Sequence, residues 1–158
     1  MLDKIYVLDG SEKYPVKHAL SVLGEIQELR PLDVTVSCDA DFVKEYANKS
    51  RLENGQVDVR ALVGNLIRNQ YLHGQNYQVG KVVILDDDIC SPSENAPWGF
   101  GARYGFDGSL GYAVISSHRA VDTAHFRDIM RHEIGHMFGA PNKNRPNLEE
   151  NLGLHCTN

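Results

Sequence analysis

The sequence predicts an α/β fold, an α+β sandwich in which a mixed, mostly parallel twisted sheet with an antiparallel edge strand packs on helices. Three observations predict it. Strand-like and helix-like segments alternate through the first half of the 158 residues. The segment KVVILD at 81–86 carries an unbroken apolar run, as a strand covered on both faces needs. From about residue 89 the texture changes to interleaved glycines and aromatics, which suits a strand at a sheet edge.

The elements follow in order. Residues 4–8 read as a first strand. Residues 15–29 place Val16, Ala19, Leu20, Leu23 and Ile26 at helical spacing, with Pro15 and Pro31 bracketing the helix. Residues 33–37 alternate, with Val34 and Val36 on one side, and form a second strand. A short helix is expected over 41–46. Over 58–72, Val59, Leu62, Val63, Leu66 and Ile67 make one stripe of a longer helix, weakened internally by Gly64. After the strand 81–86, residues 91–97 (SPSENAP) read as a loop. Residues 98–105 (WGFGARYG) have a period of two that fits the edge strand, and their glycines point to bulges or to close approach of another backbone. Residues 112–116 are a further strand.

The last helix, about 122–138, is bounded by local chemistry. Asp122 suits the N-cap, and Val121 and Phe126 occupy the two positions of a hydrophobic staple. Gly139 falls where a left-handed C-terminal residue is wanted, and Pro141 follows. Ile129 joins His125, His132 and His136 on one stripe, while Phe126, Met130, Ile134 and Met137 form the neighbouring apolar one. The histidines therefore border the buried face, where a site in a cleft floor would lie.

Length and composition bound the classes of function. A chain of this length fits one domain, 1–158, and its 42% hydrophobic and 23% charged residues are ordinary for a globular protein. A net charge of −5 argues against a nucleic-acid partner. No apolar run approaches membrane-spanning length, and the N-terminus lacks the pattern of a secretory leader. Cys38, Cys90 and Cys156 are scattered and odd in number, which is no disulfide framework and fits a reducing, cytoplasmic setting.

The chemistry sits at His132-Glu133-Ile134-Gly135-His136-Met137-Phe138-Gly139, which reads H-E-x-x-H-x-x-G. Shuffling this composition yields H-E-x-x-H roughly 2% of the time, and roughly 0.2% with the glycine added. On a helix the two imidazoles share a face and can hold one Zn²⁺, with Glu133 placed to reach a coordinated water. A catalytic zinc needs a third protein ligand and one open position. His125 lies about 10.5 Å along the axis from His132, too far to share a metal with both motif histidines. His118 would need an unusual fold-back, and His18 and His73 are weaker still. Downstream, the remaining histidine is His155, in Leu152-Gly153-Leu154-His155-Cys156.

These residues resemble the metzincins, whose signature is H-E-x-x-H-x-x-G-x-x-H, and within that clan the archaemetzincins, in which a third histidine is followed directly by cysteine. The family spacing would put the third ligand at Asn142. Asn is a poor zinc ligand, and the Asn- and Pro-rich stretch 140–151 reads as an insertion after which the family's local text resumes at His155-Cys156. Loop-closure cost grows only logarithmically with length, so the longer loop is tolerable. The resemblance implies His132, His136 and His155 as ligands of a catalytic Zn²⁺. It also implies Cys156 as the first ligand of a second, structural Zn²⁺; a free thiol is the bland alternative. Metzincins carry a methionine turn after the third ligand, and no methionine follows Met137. The expectation is a catalytic domain lacking part of its C-terminal subdomain. The resemblance further implies that an antiparallel edge strand borders the cleft, for which 98–105 is the candidate, with Gly101, Ala102, Arg103 and Tyr104 pairing a peptide or protein substrate through the backbone.

The expected function is zinc-dependent hydrolysis of peptide bonds. Zinc lowers the pKa of its water from 15.7 toward about 7, and Glu133 serves as general base. Tyr104 and Tyr112 are weak candidates for a second oxyanion donor, a core or rim position being the commoner role. The alternative is a zinc-binding module without turnover. Cys156 could close such a site as a fourth ligand, but a structural site has no use for Glu133.

Overall fold

A computed structural model describes residues 3–68, 79–106 and 110–138. The chain opens with β1 (Lys4–Asp9), α1 (Lys17–Gln27), β2 (Asp33–Cys38), α2 (Ala40–Lys49), β3 (Val57–Asp58) and α3 (Val59–Arg68). It continues with β4 (Val79–Leu85), β5 (Ile89–Ser91), a 3-10 turn (Pro92–Glu94), β6 (Ala96–Gly99), β7 (Gly101–Phe106), β8 (Leu110–Ser116) and α4 (Thr123–Met137).

The main sheet has five strands in the order β2-β1-β4-β8-β7. The first four are mutually parallel, and β7 runs antiparallel to β8 along one edge. This is the expected mixed, mostly parallel sheet with an antiparallel edge. Alternation along each strand divides two cores. Ile5, Val7, Val82, Ile84, Ala113 and Ile115 face α1 and α4. Leu8, Val83, Leu85, Tyr112 and Val114 face α2 and α3. Every residue of β4 is buried, because helices cover both of its faces.

Several boundaries shift for identifiable reasons. α2 is longer than 41–46: the Asp39 carboxylate caps it by accepting from the Phe42 N–H at 2.9 Å, and Val43, Tyr46 and Ala47 bury its inner face. In α1 the buried stripe is Ala19, Val22 and Leu23, whereas Leu20 is 44% exposed. Both stripes satisfy a 3.6 period, and the observed one is rotated toward Val22. Of the helix expected over 58–72, α3 accounts for residues up to Arg68, and 69–72 lie outside the described residues.

The region 89–105 departs most from expectation. Residues 91–97 are not simply a loop: β5 and β6 flank the 3-10 turn and, with β3, form a second sheet in the order β3-β5-β6. The expected edge strand 98–105 is divided at Phe100. Trp98 belongs to β6 in the small sheet, and the edge of the main sheet is β7, starting at Gly101. Strands of two to four residues carry too few side chains to display a period. The Arg119 guanidinium ties the loop preceding α4 to the small sheet. It meets the Asp88 carboxylate through Nε and Nη2, each at 2.8 Å, and covers the Trp98 ring at 4.8 Å.

Candidate metal centre

The site is carried by α4, and its start is tied down from several directions. Asp122 caps the helix, its carboxylate accepting from the His125 N–H at 2.8 Å. The expected staple does not form. Phe126 is buried and stacks on Tyr14 at 4.6 Å between ring centroids, but Val121 is 82% exposed. The Tyr14 ring takes the place that a staple residue would have filled.

The preceding loop is anchored to the carboxyl ends of the parallel strands. The Asp86 carboxylate accepts from Ser11 Oγ at 2.6 Å, from the Glu12 N–H at 2.7 Å, from the Lys13 N–H at 3.1 Å, and from Ser117 Oγ. Burial pushes the Asp86 pKa up, but these donors outweigh it and hold the carboxyl below the usual range. Lys13 Nζ then donates to the carbonyls of Ser117 and Ala120 at 3.1 and 3.2 Å. On the outer side, Arg131 binds Glu25 of α1 through Nε and Nη2 at 2.9 and 2.7 Å.

Phe126, Ile129, Met130, Ile134 and Met137 bury the inner face of α4, so the motif lands at the margin of that face. His132 is half-buried and His136 is buried. Their Nε2 atoms lie 3.0 Å apart, with the ring planes 84° from one another. Two nitrogens on one tetrahedral zinc, each about 2.05 Å from it, are separated by about 3.3 Å. The pair is within a few tenths of an ångström of that spacing. Between them Glu133 is 8% exposed and turns onto β7 at Gly101. Burial pushes its carboxyl up to about 8. A bound dication would act in the opposite direction. The donors brought together, two imidazole nitrogens, are ones that zinc accepts.

The other candidates are placed as follows. His125 receives the Val121 N–H on Nδ1 at 3.3 Å, and its ring meets Phe100 edge-on at 5.2 Å. His118 is exposed in the loop before α4, and His18 lies edge-on to Tyr14. Gly101 pairs with Ile115 and so belongs to the face that α4 covers, while Ala102 packs against the opposite core. Arg103 and Tyr104 stand in register with Ala113 and Tyr112. Tyr112 is buried in the core facing α2 and α3, where desolvation pushes its phenol up to about 12. It faces away from the histidine pair and serves as a core aromatic. Cys38 is exposed and Cys90 buried, both as free thiols. His73, Gly139, Pro141, Asn142, His155 and Cys156 lie outside the described residues. Among the described residues no group of three His, Cys, Asp or Glu side chains converges on one point, and no helix is long and apolar enough to cross a membrane.

Sequence reasoning missed the loop anchor at Asp86 and the packing of Phe100 on His125. The first joins residues up to 75 apart, beyond any local pattern. The second had a visible signal in the alternation of aromatic residues with glycine at 98–101.

No family profile and no curated protein matches the chain. Among solved structures it is similar to archaemetzincin (AmzA) from Archaeoglobus fulgidus, crystallised in complex with malonate. The TM-score is 0.56 at 19% sequence identity, over 90% of this chain and 82% of that one. The likeness is one of fold.

Proposed function

We propose that this protein is a zinc-dependent metallopeptidase. The observation that carries the reading is the meeting of His132 Nε2 and His136 Nε2 at 3.0 Å with the buried Glu133 between them. The archaemetzincin-like fold and the resemblance at His155-Cys156 support it. His132 and His136 would hold Zn²⁺ through Nε2, and His155 would supply the third nitrogen. When bound, zinc supplies Lewis acidity, acidifying water and polarising a carbonyl. Glu133 takes the proton of the attacking water and returns it to the departing amine. A peptide or protein substrate would align by backbone pairing along β7, which forms one edge of the main sheet.

A second reading is a zinc-binding module without turnover. The buried carboxyl of Glu133 beside the histidine pair favours catalysis, because a purely structural site has no use for a base there. Glu133→Ala tests this directly. The zinc content of the purified protein should be retained, while kcat/KM against a peptide library falls by roughly 10²- to 10⁴-fold. Zinc-loaded wild-type protein that cleaves nothing, or a variant that cleaves equally well, sinks the hydrolase reading.

A further inference from the structure

We infer that Gly101 is a positioning residue for Glu133: the missing side chain on the edge strand is the seat on which the carboxyl arm rests. A Cβ built on Gly101 would fall 2.5 Å from Cγ and 2.7 Å from Cδ of Glu133, and 2.8 Å from the Val114 carbonyl oxygen. Carbon atoms do not approach that closely. Any L-residue at 101 must therefore displace the Glu133 arm, the edge strand, or both. Gly101 has no positive φ, so its lack of a side chain answers to this close approach and not to backbone conformation.

The arrangement has a consequence for specificity. β7 holds the glutamate from beneath and also forms one edge of the main sheet. A peptide paired to that strand is thus indexed to the same backbone that positions the carboxylate. Gly101 sets where Glu133 stands relative to the bond presented. The functional half of this inference rests on the metallopeptidase reading, and the packing half does not.

The test is a double-mutant cycle between Gly101→Ala and Glu133→Ala, read first as thermal stability and independently of activity. In the Glu133 background, Gly101→Ala should lower Tm by roughly 5 °C. In the Glu133→Ala background two of the three close contacts are gone, and the loss should be less than half as large. Equal losses in both backgrounds, failure of both to fold included, would assign the glycine to the Val114 carbonyl alone and overturn the inference. The second readout is kinetic. With zinc content unchanged, Gly101→Ala should lower kcat roughly 100-fold with little change in KM. The same change should cost at least threefold less when made in Glu133→Asp, whose shorter arm needs less of the seat. A kcat unchanged by Gly101→Ala in an active enzyme also overturns the inference. Wild-type protein inactive on all peptides, with the stability coupling present, overturns the metallopeptidase reading and leaves the packing relationship standing.

Discussion

The His132 and His136 imidazoles meet at their Nε2 atoms, 3.0 Å apart and almost perpendicular. Two ring nitrogens brought this close, one helical turn apart, gain most when a cation replaces the proton between them. Zinc should therefore stabilise the fold. At free zinc 100 times its Kd the gain is about 2.7 kcal/mol, which for a chain of this size raises Tm by roughly 5–10 °C. His132→Ala and His136→Ala should each abolish most of that rise, and His155→Ala should reduce it. Differential scanning calorimetry with and without zinc measures the effect. An undiminished rise in His136→Ala would remove the pair from the metal site.

Asp86 carries more of the site's architecture than its position suggests. Its carboxylate gathers donors from Ser11, Glu12, Lys13 and Ser117, and so fixes the loop that launches α4. Removing the acceptor in Asp86→Ala strands the part-buried hydroxyls of Ser11 and Ser117 and frees the exposed N–H groups of Glu12 and Lys13 to water, and we expect a loss of about 2–3 kcal/mol in urea denaturation. The folded pKa lies below the unfolded one, so the stabilisation is present above the ordinary carboxylate range and is lost as pH falls through the folded value. Asp86→Ala should flatten the acid limb of the stability curve. A variant with wild-type stability and an unchanged acid limb would show that the loop is held elsewhere.

Much of this was legible in the sequence because the relevant signals are local. Val82 to Leu85 is apolar at every position, so β4 had to be covered on both faces, and a parallel sheet followed. The motif helix declared its start at Asp122 and its two stripes by period alone, and the structure keeps both stripes. Beyond the absent staple and the long-range Asp86 anchor, two kinds of failure stand out. Where elements are very short, as in β3, β5 and β6, there is no period to read. Where two choices satisfy the same period, as with Leu20 and Val22 in α1, only the tertiary partner decides, and α4 selected Val22. Gly101 falls between these cases. A close approach was signalled by glycine in a strand, but nothing local said that the approaching group would be Glu133, 32 residues away in the sequence. His155 is proposed as third ligand on the resemblance alone, since that residue lies outside those described.

Arg119 connects the small sheet to the loop preceding α4 through a two-pronged bond to Asp88 and its cover over Trp98. Lysine can keep the charge but neither the fork nor the planar stack. Arg119→Lys should therefore cost about 1 kcal/mol, a modest sum because the pair is partly solvated. Trp98 fluorescence should shift as the ring loses its cover. Identical stability and emission in the variant would reduce Arg119 to a surface charge.

Lys81 is the least comfortable residue in the fold. It lies in β4, is 1% exposed, and its Nζ has no hydrogen-bond partner among the described residues. The Tyr112 ring, 5.6 Å away, offers it a π face and little else. Desolvation lowers its pKa from 10.5 to about 8. Below that value the folded protein must keep a charge in an apolar layer. Between about 8 and 10.5 the unfolded chain holds more protons than the folded one, so stability should rise with pH across that window. The penalty at pH 7 is on the order of 3 kcal/mol. Lys81→Met keeps the stem's volume and discards the charge. It should raise Tm at pH 7 and abolish the rise in stability between pH 8 and 10.5. A variant less stable than wild type at pH 7, or one that retains the alkaline rise, would mean that the ammonium has found a partner worth more than the cost of burying it.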